Sequence, residues 1–223
     1  MNTRLKNKPT LPRGIYGITA EKFSLGRSNV AVAEAMITGG VTTIQYREKR
    51  PDKSHRQMLD ECRRIRELTR AAGVLFIVND YAEIALLAEA DGVHVGQDDL
   101  PVPELRRLLG PDKIIGLSTH TPEQAREAIA QGADYIGVGP IFATQTKTDV
   151  VAPVGFAYLE HVARNSPLPF AAIGGIKEHN IAEVVRRGAK TVCLVTDIVG
   201  SADIAAKVRA LKRIIEETPS PRI

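Results

Sequence analysis

Residues 114–139 read IIGLSTHTPEQAREAIAQGADYIGVG, and this stretch decides the fold. The apolar run 114–118 has the length and character of a buried strand. Thr121-Pro122-Glu123 then opens a helix, with threonine as N-cap and proline at the first helical position. The helical pattern over 122–131 stops at Gln131-Gly132, where glycine suits the left-handed turn that ends a helix. A second apolar run follows at 135–139. Strand, helix, strand in this order predicts a parallel pair joined by a crossover.

Reading outward, the same punctuation recurs from end to end. Further strands are predicted at 14–19, 42–47, 75–78, 92–95, 169–173 and 191–195. Amphipathic stretches fall between and after them, at 29–38, 54–72, 82–90, 103–109, 156–163, 178–187 and 202–216. Ala72-Gly73 and Arg187-Gly188 close helices as Gln131-Gly132 does. Eight β-then-α units predict a single-domain (β/α)8 TIM barrel, an α/β fold of which 223 residues is near the lower size limit. The structural rival is a doubly wound open sheet, but no Gly-x-Gly-x-x-Gly follows the first strand. No linker divides the chain, so 1–223 is read as one domain, with about 1–12 and 217–223 as loosely ordered tails.

Composition narrows the function. With 43% hydrophobic and 25% charged residues, the chain is neither disordered nor collagen-like, and two cysteines cannot staple a miniature. Cys62 and Cys193 stand far apart, outside any metal-ligand spacing, and are expected to stay reduced in the cytoplasm. No stretch approaches the ~20 apolar residues of a membrane-spanning helix, and no apolar run follows the basic first residues. The net charge of +4 suits an anionic ligand better than wholesale nucleic-acid coating. Aromatics at 4% and no tryptophan leave little material for stacking bases. The expected partners are small molecules, with no nucleic acid and no membrane, and a homo-oligomer is compatible with this reading.

Chemistry in such a barrel sits at the C-terminal strand ends. There the chain offers Gln45-Tyr46-Arg47-Glu48-Lys49, Asn79-Asp80, Gly96-Gln97-Asp98-Asp99, Ser118-Thr119-His120, Thr144-Gln145-Thr146-Lys147, Gly174-Gly175 and Val195-Thr196. Alternation puts Gln45, Arg47 and Lys49 on one face of strand two, with Tyr46 and Glu48 on the other. An amide and two cations on the barrel mouth suit an anion attached to a polar ring. Asp80 and Asp99 end neighbouring strands and fit either salt bridges or Mg2+, which takes a few carboxylates beside water and phosphate oxygens. Asp98 is the less favoured of its pair. The loop 143–147 reads as an anion nest. Gly174-Gly175 and Val195-Thr196 lie where barrels commonly bind phosphate. His94 reads as a packed strand histidine, and His120 is balanced between helix entry and an active role. The pairs Arg63-Arg64, Arg106-Arg107 and Arg186-Arg187 read as an outer solvated ring. The residues together predict two anionic subsites and transfer from a diphosphate to a phosphorylated acceptor.

At these positions the chain resembles the thiamine phosphate synthase family. The shared motifs are Gln-x-Arg-x-Lys at 45–49, Asn-Asp at 79–80, Gly-Gln-x-Asp at 96–99, Thr-x-Thr-Lys at 144–147 and Ile-Gly-Gly-Ile at 173–176. The resemblance spans about residues 16 to 211, and its motifs are specific in combination. It implies a Mg2+-dependent transferase, with one Mg2+ per site, that joins 4-amino-2-methyl-5-(diphosphooxymethyl)pyrimidine to a thiazole phosphate with loss of pyrophosphate. It implies that Gln45, Tyr46, Arg47, Glu48, Lys49, Asn79, Ser118 and Lys147 hold the pyrimidine diphosphate. It gives Mg2+ to Asp80 and Asp99, and the thiazole phosphate to Thr144, Gln145, Thr146, Gly175, Val195 and Thr196. The implied mechanism is dissociative, through a pyrimidinylmethyl cation. Three residues depart from the usual family pattern: Tyr81, Ala143 and Asp197, the last expected to point away from the phosphate. The related thiazole tautomerase is the enzyme rival, but it needs no diphosphate site. A phosphate- or thiamine-sensing module that keeps the barrel without turnover is the non-catalytic rival.

Overall fold

Apolar residues spaced by two on short strands, and by three or four on the segments between, can all be buried by one closed arrangement. A computed structural model, which describes residues 8–49, 53–146 and 151–219, has that arrangement. Strands β1 (Gly14–Ile18), β2 (Thr43–Tyr46), β3 (Leu75–Asn79) and β4 (Gly92–Val95) form half of the wall. The other half is β5 (Ile114–Thr119), β6 (Tyr135–Val138), β7 (Phe170–Ala172) and β8 (Thr191–Leu194). Each pairs in parallel with its sequence neighbour, and β8 closes on β1 through the register Tyr16 to Cys193. The result is the expected (β/α)8 barrel.

Helices α1 (Asn29–Gly39), α2 (His55–Ala72), α3 (Ala82–Leu87) and α4 (Val102–Leu109) follow the first four strands. Helices α5 (Pro122–Ala130), α6 (Gly155–Asn165) and α7 (Ile181–Arg186) follow the next three. After β8 the chain makes a short helix α8 (Thr196–Val199) before the last long one, α9 (Ile204–Glu217). The sequence did not separate α8 from α9; Gly200 and the Asp203 cap, which accepts from the Ala206 amide, divide them. Helix α3 is shorter than expected, because Glu89 takes a left-handed backbone. Thr121 caps α5 with Pro122 in the first turn, as its sequence predicts. Ser54 and Gln57 form a capping box on α2.

The alternation on the strands sorts residues into two cores. Outward positions join the helices in one continuous layer that includes Ile44, Tyr46, Phe76, Val78, Ile115 and Val192. Inward positions make a smaller cluster of Tyr16, Ile18, Leu75, Ile77, Ile114, Tyr135, Ala171 and Cys193. Full burial of residues such as Ile77 and Ile114 contributes roughly 1.5–3 kcal/mol each. Leu11 belongs to this inner cluster, and the Thr191 hydroxyl donates to the Pro12 carbonyl at 2.8 Å. Leu11 and Pro12 are therefore tied beneath the barrel, while residues 1–7 and 220–223 of the expected loose tails lie outside the described residues. Gly116 leaves room inside: a Cβ there would lie 2.1 Å from Tyr135 Cζ and 2.5 Å from His94 Nδ1.

Outside, Arg106 pairs with Asp134 at 2.5 Å, and Arg187 pairs with Glu160 and Glu183. Arg63, Arg64, Arg107 and Arg186 are exposed, as their positions predict, whereas Arg106 and Arg187 are half-buried in these pairings. Among the described residues, no helix is long and apolar enough to cross a membrane. Cys62 and Cys193 are both buried, and neither is in a disulfide.

Candidate active site

The inward face of β2 brings Gln45 to the floor of the barrel mouth, where it is buried. Its Nε2 donates to the Tyr16 hydroxyl at 2.8 Å. That hydroxyl is 3.0 Å from the Tyr135 hydroxyl, which in turn is 3.0 Å from His94 Nδ1. His94 Nε2 lies 2.9 Å from Ser118 Oγ. Five side chains from β1, β2, β4, β5 and β6 thus form one hydrogen-bonded chain across the barrel. Burial pushes the Tyr16 and Tyr135 phenols well above their ordinary value, so both stay protonated. His94 is packed inside the wall, as expected, but its ring also connects two candidate site residues. Tyr16 and Tyr135 escaped the sequence reading, since a tyrosine inside an apolar strand reads as core. The glycines at 116 and 137, both beside the His94 ring, were the available signal.

Above this floor, the strand ends carry charge. The Arg47 amide donates to Thr19 Oγ1 at 3.1 Å, fixing the backbone just beyond β2. Burial lowers the Arg47 pKa, against the pull of Asp80 and Glu48, yet a guanidinium stays charged. Its Nε is buried with no hydrogen-bond partner among the described residues. A desolvated cationic donor of this kind costs about 1–3 kcal/mol until an acceptor arrives. An anion is the natural acceptor.

The Lys49 ammonium reaches Asp80 Oδ2 at 2.5 Å. Asp80 adopts a left-handed backbone, φ 61°, and its amide donates to the His94 carbonyl at 3.0 Å, which turns the side chain at the strand end. Burial raises the Asp80 pKa; Lys49 pulls it down, and the neighbouring Asp99 carboxylate pushes it up again. Asp99 is itself fixed by the Gly96 amide, which donates to Oδ2 at 2.7 Å. Two close carboxylates, one of them desolvated, are a donor set for a hard dication such as Mg2+. Asn79 is buried beside them at the end of β3. Gln45, Arg47, Lys49, Asn79, Asp80, Asp99 and Ser118 are therefore assembled at one end of the barrel.

Tyr46 and Glu48 are not. Both point through the wall into the helical layer, where the Tyr46 hydroxyl donates to Glu61 at 2.7 Å and Glu48 accepts from Asn29 at 3.1 Å. The period of two on a strand dictates this, and it corrects the assignment of these two to the ligand. Lys147 lies outside the described residues.

Across the mouth, the Thr144 hydroxyl donates to Thr146 Oγ1 at 3.1 Å and accepts from the Thr146 amide at 3.3 Å, curling the loop after β6. Gly175 lies against that loop with φ 63°; a Cβ would sit 2.5 Å from the Ala143 carbonyl oxygen. The Phe142 amide donates to the Gly174 carbonyl at 3.0 Å, so the two segments are joined. Gln145 is exposed on the same loop. Val195 and Thr196 start α8 at the end of β8, both half-buried. The Asp197 carboxylate accepts from the Glu178 amide at 3.2 Å and faces Lys207 at 3.9 Å, which occupies it away from the strand end.

His120 falls on the structural side of its balance. Its Nδ1 donates to the Gly139 carbonyl at 2.6 Å, and its amide donates to Gln124 at 2.7 Å, fastening the entry to α5. It borders a cleft of about 430 Å³ with Pro122, Val154, Tyr158 and His161, between α5 and α6.

A sequence model described as thiamine monophosphate synthase matches residues 15–198 of the chain. A thiamine-phosphate synthase of Pelotomaculum thermopropionicum is 63% identical over 205 residues, covering 92% of this chain and 93% of its own. One from Shouchella clausii is 52% identical, covering 92% and 98%. The solved thiamine phosphate pyrophosphorylase of Pyrococcus furiosus superposes with a TM-score of 0.84 at 32% identity, covering 92% of this chain and 96% of its own.

Proposed function

The chain belongs to the thiamine monophosphate synthase family, transferases of thiamine biosynthesis, and from that premise we propose how its site carries out the reaction. The donor is 4-amino-2-methyl-5-(diphosphooxymethyl)pyrimidine and the acceptor a thiazole phosphate; the products are thiamine phosphate and pyrophosphate. The observation that carries this reading is the buried Arg47 Nε without a partner beside the Lys49, Asp80 and Asp99 cluster. A phosphorylated ring alone would not require so much charge at one strand end.

Gln45 and Asn79 hold the pyrimidine by amide hydrogen bonds, while Arg47 and Lys49 take the diphosphate, helped by Ser118 and Lys147. Asp80 and Asp99 hold one Mg2+, which when bound neutralises charge on the leaving diphosphate. Thr144, Thr146, Gly175, Val195 and Thr196 hold the thiazole phosphate on the facing rim, with Gln145 at its edge. Ser118 Oγ lies 2.9 Å from His94 Nε2, but a dissociative transfer needs no protein nucleophile, and this contact serves to orient the Ser118 hydroxyl toward the ligand. Catalysis rests instead on stabilising charge and aligning two substrates. The bond from the methylene carbon to the diphosphate breaks, its electron pair leaving with the diphosphate. The thiazole nitrogen then captures the pyrimidinylmethyl cation. The buried thiols of Cys62 and Cys193 support a reducing compartment, the cytoplasm, as the place of action.

Titration calorimetry with inorganic pyrophosphate tests the donor site. Binding should require Mg2+ and be lost in Arg47→Ala. Binding that is indifferent to both would refute the assignment.

A further inference from the structure

Behind the barrel wall, three carboxylates converge where β2 ends. Ligand oxygens of Glu21, Glu48 and Glu61 lie within 4.8 Å of one another. Glu48 is buried, and like charges this close in a desolvated place require a counter-charge. Lys53 supplies one. Its side chain is only 5% exposed, and its ammonium contacts Glu21, Glu61 at 2.6 Å and Glu48 at 3.3 Å. Asn29, fully buried, donates its Nδ2 to the same three, at 3.2 Å to Glu21, 3.1 Å to Glu48 and 3.1 Å to Glu61. The cluster ties α1, α2 and the turn at Glu21–Phe23 to the end of β2.

Glu48 stands between the two cations that face the mouth. While Oε2 meets Asn29 and Lys53, Oε1 accepts the Lys49 amide at 2.9 Å. The backbone after Glu48 is therefore held from outside the barrel, by a side chain that is itself held, while Thr19 holds the Arg47 amide before it.

We propose that Lys53 is a positioning residue for the diphosphate site: its ammonium holds Glu48, and Glu48 fixes the strand end from which Arg47 and Lys49 reach the ligand. The inference rests on the diphosphate reading given above. Long flexible side chains such as Lys49 gain precision when the backbone beneath them is fixed, and a displacement near 1 Å can cost up to ~100-fold in rate. The thiazole phosphate rim is built from the loops after β6 and β7 and the start of α8; of these only α8 packs against the Glu21–Phe23 turn, so the rim should be far less sensitive to the cluster than the strand end of β2 is.

The test compares Lys53→Met, Lys53→Arg and Glu48→Gln with the wild-type chain. Mg2+-dependent binding of inorganic pyrophosphate is read by calorimetry, and KM is measured separately for each substrate. Lys53→Met and Glu48→Gln should each weaken pyrophosphate about tenfold and raise the KM of the pyrimidine diphosphate similarly, with the thiazole phosphate KM within about twofold. Lys53→Arg, which keeps the charge, should recover most of the loss. The double variant should be little worse than either single one, since both act through the same contact. If Lys53→Met does not fold, Glu48→Gln decides by the same two measurements. Unchanged pyrophosphate affinity, or equal losses for both substrates, would overturn the positioning role while leaving the diphosphate site intact. A wild-type chain that binds no pyrophosphate would overturn both.

Discussion

Replacing Tyr135 by Phe removes one oxygen atom and cuts the hydrogen-bonded chain beneath the mouth in the middle. The lost hydroxyl faces Tyr16 on one side and His94 Nδ1 on the other, each at 3.0 Å, in a fully buried setting. Leaving a buried polar group without its partner costs about 1–3 kcal/mol, and here two groups are affected. Tyr16 keeps Gln45, and His94 keeps Ser118, so each loss should fall toward the lower end, for a sum of about 2–3 kcal/mol. For a chain of this size, that corresponds to a fall in Tm of roughly 4–12 °C. Calorimetric or circular-dichroism melts measure it directly. A cycle with His94→Asn then asks whether the two side chains act together, and a coupling of about 1 kcal/mol or more is expected. Because the His94 ring beside Ser118 is then held at one nitrogen instead of two, kcat should fall as well. A Tm within a degree of wild type, or strictly additive losses in the cycle, would show that the chain is only a set of independent contacts.

Asp80→Ala should reduce Mg2+-dependent turnover by roughly 100-fold while leaving calorimetric binding of the thiazole phosphate nearly unchanged; equal loss of both would make Asp80 structural. In metal-free protein, the raised Asp80 pKa means that its neutral form is favoured in the fold. The stability it contributes is then fully present below its ordinary value of 3.8 and lost as pH rises through the raised native value. Asp80→Asn, neutral throughout, should therefore melt above wild type at pH 7 with chelator present, and the gap should close below pH 3.8. Gly175→Ala places a Cβ 2.5 Å from the Ala143 carbonyl at a left-handed backbone position. It should cost roughly 1–3 kcal/mol of stability and raise the thiazole phosphate KM more than that of the pyrimidine diphosphate, read from melts and steady-state rates.

The barrel was legible because each unit repeats the grammar of residues 114–139, in which a capped, period-matched helix separates two apolar runs. Local chemistry sufficed there: Thr121-Pro122 and Gln131-Gly132 set the ends of α5 whatever surrounds them. The inward residues of β2 were legible for the same reason. Tyr46 and Glu48 were assigned to the ligand because a contiguous motif was carried over whole, although the strand period already turns them outward. The Lys53 cluster was out of reach, since it joins residues up to 40 positions apart, from Glu21 to Glu61, that share no pattern until the helices pack. So was the chain from Tyr16 to Tyr135, which spans 119 residues and depends on the closure of the barrel.

Incubating the purified chain with the pyrimidine diphosphate, the thiazole phosphate and Mg2+, and quantifying pyrophosphate and thiamine phosphate together, tests the central claim most directly. Equimolar appearance of both products, abolished by omitting any one of the three components, is the predicted result. No pyrophosphate in the complete mixture, or isomerisation of the thiazole without the diphosphate, would contradict it.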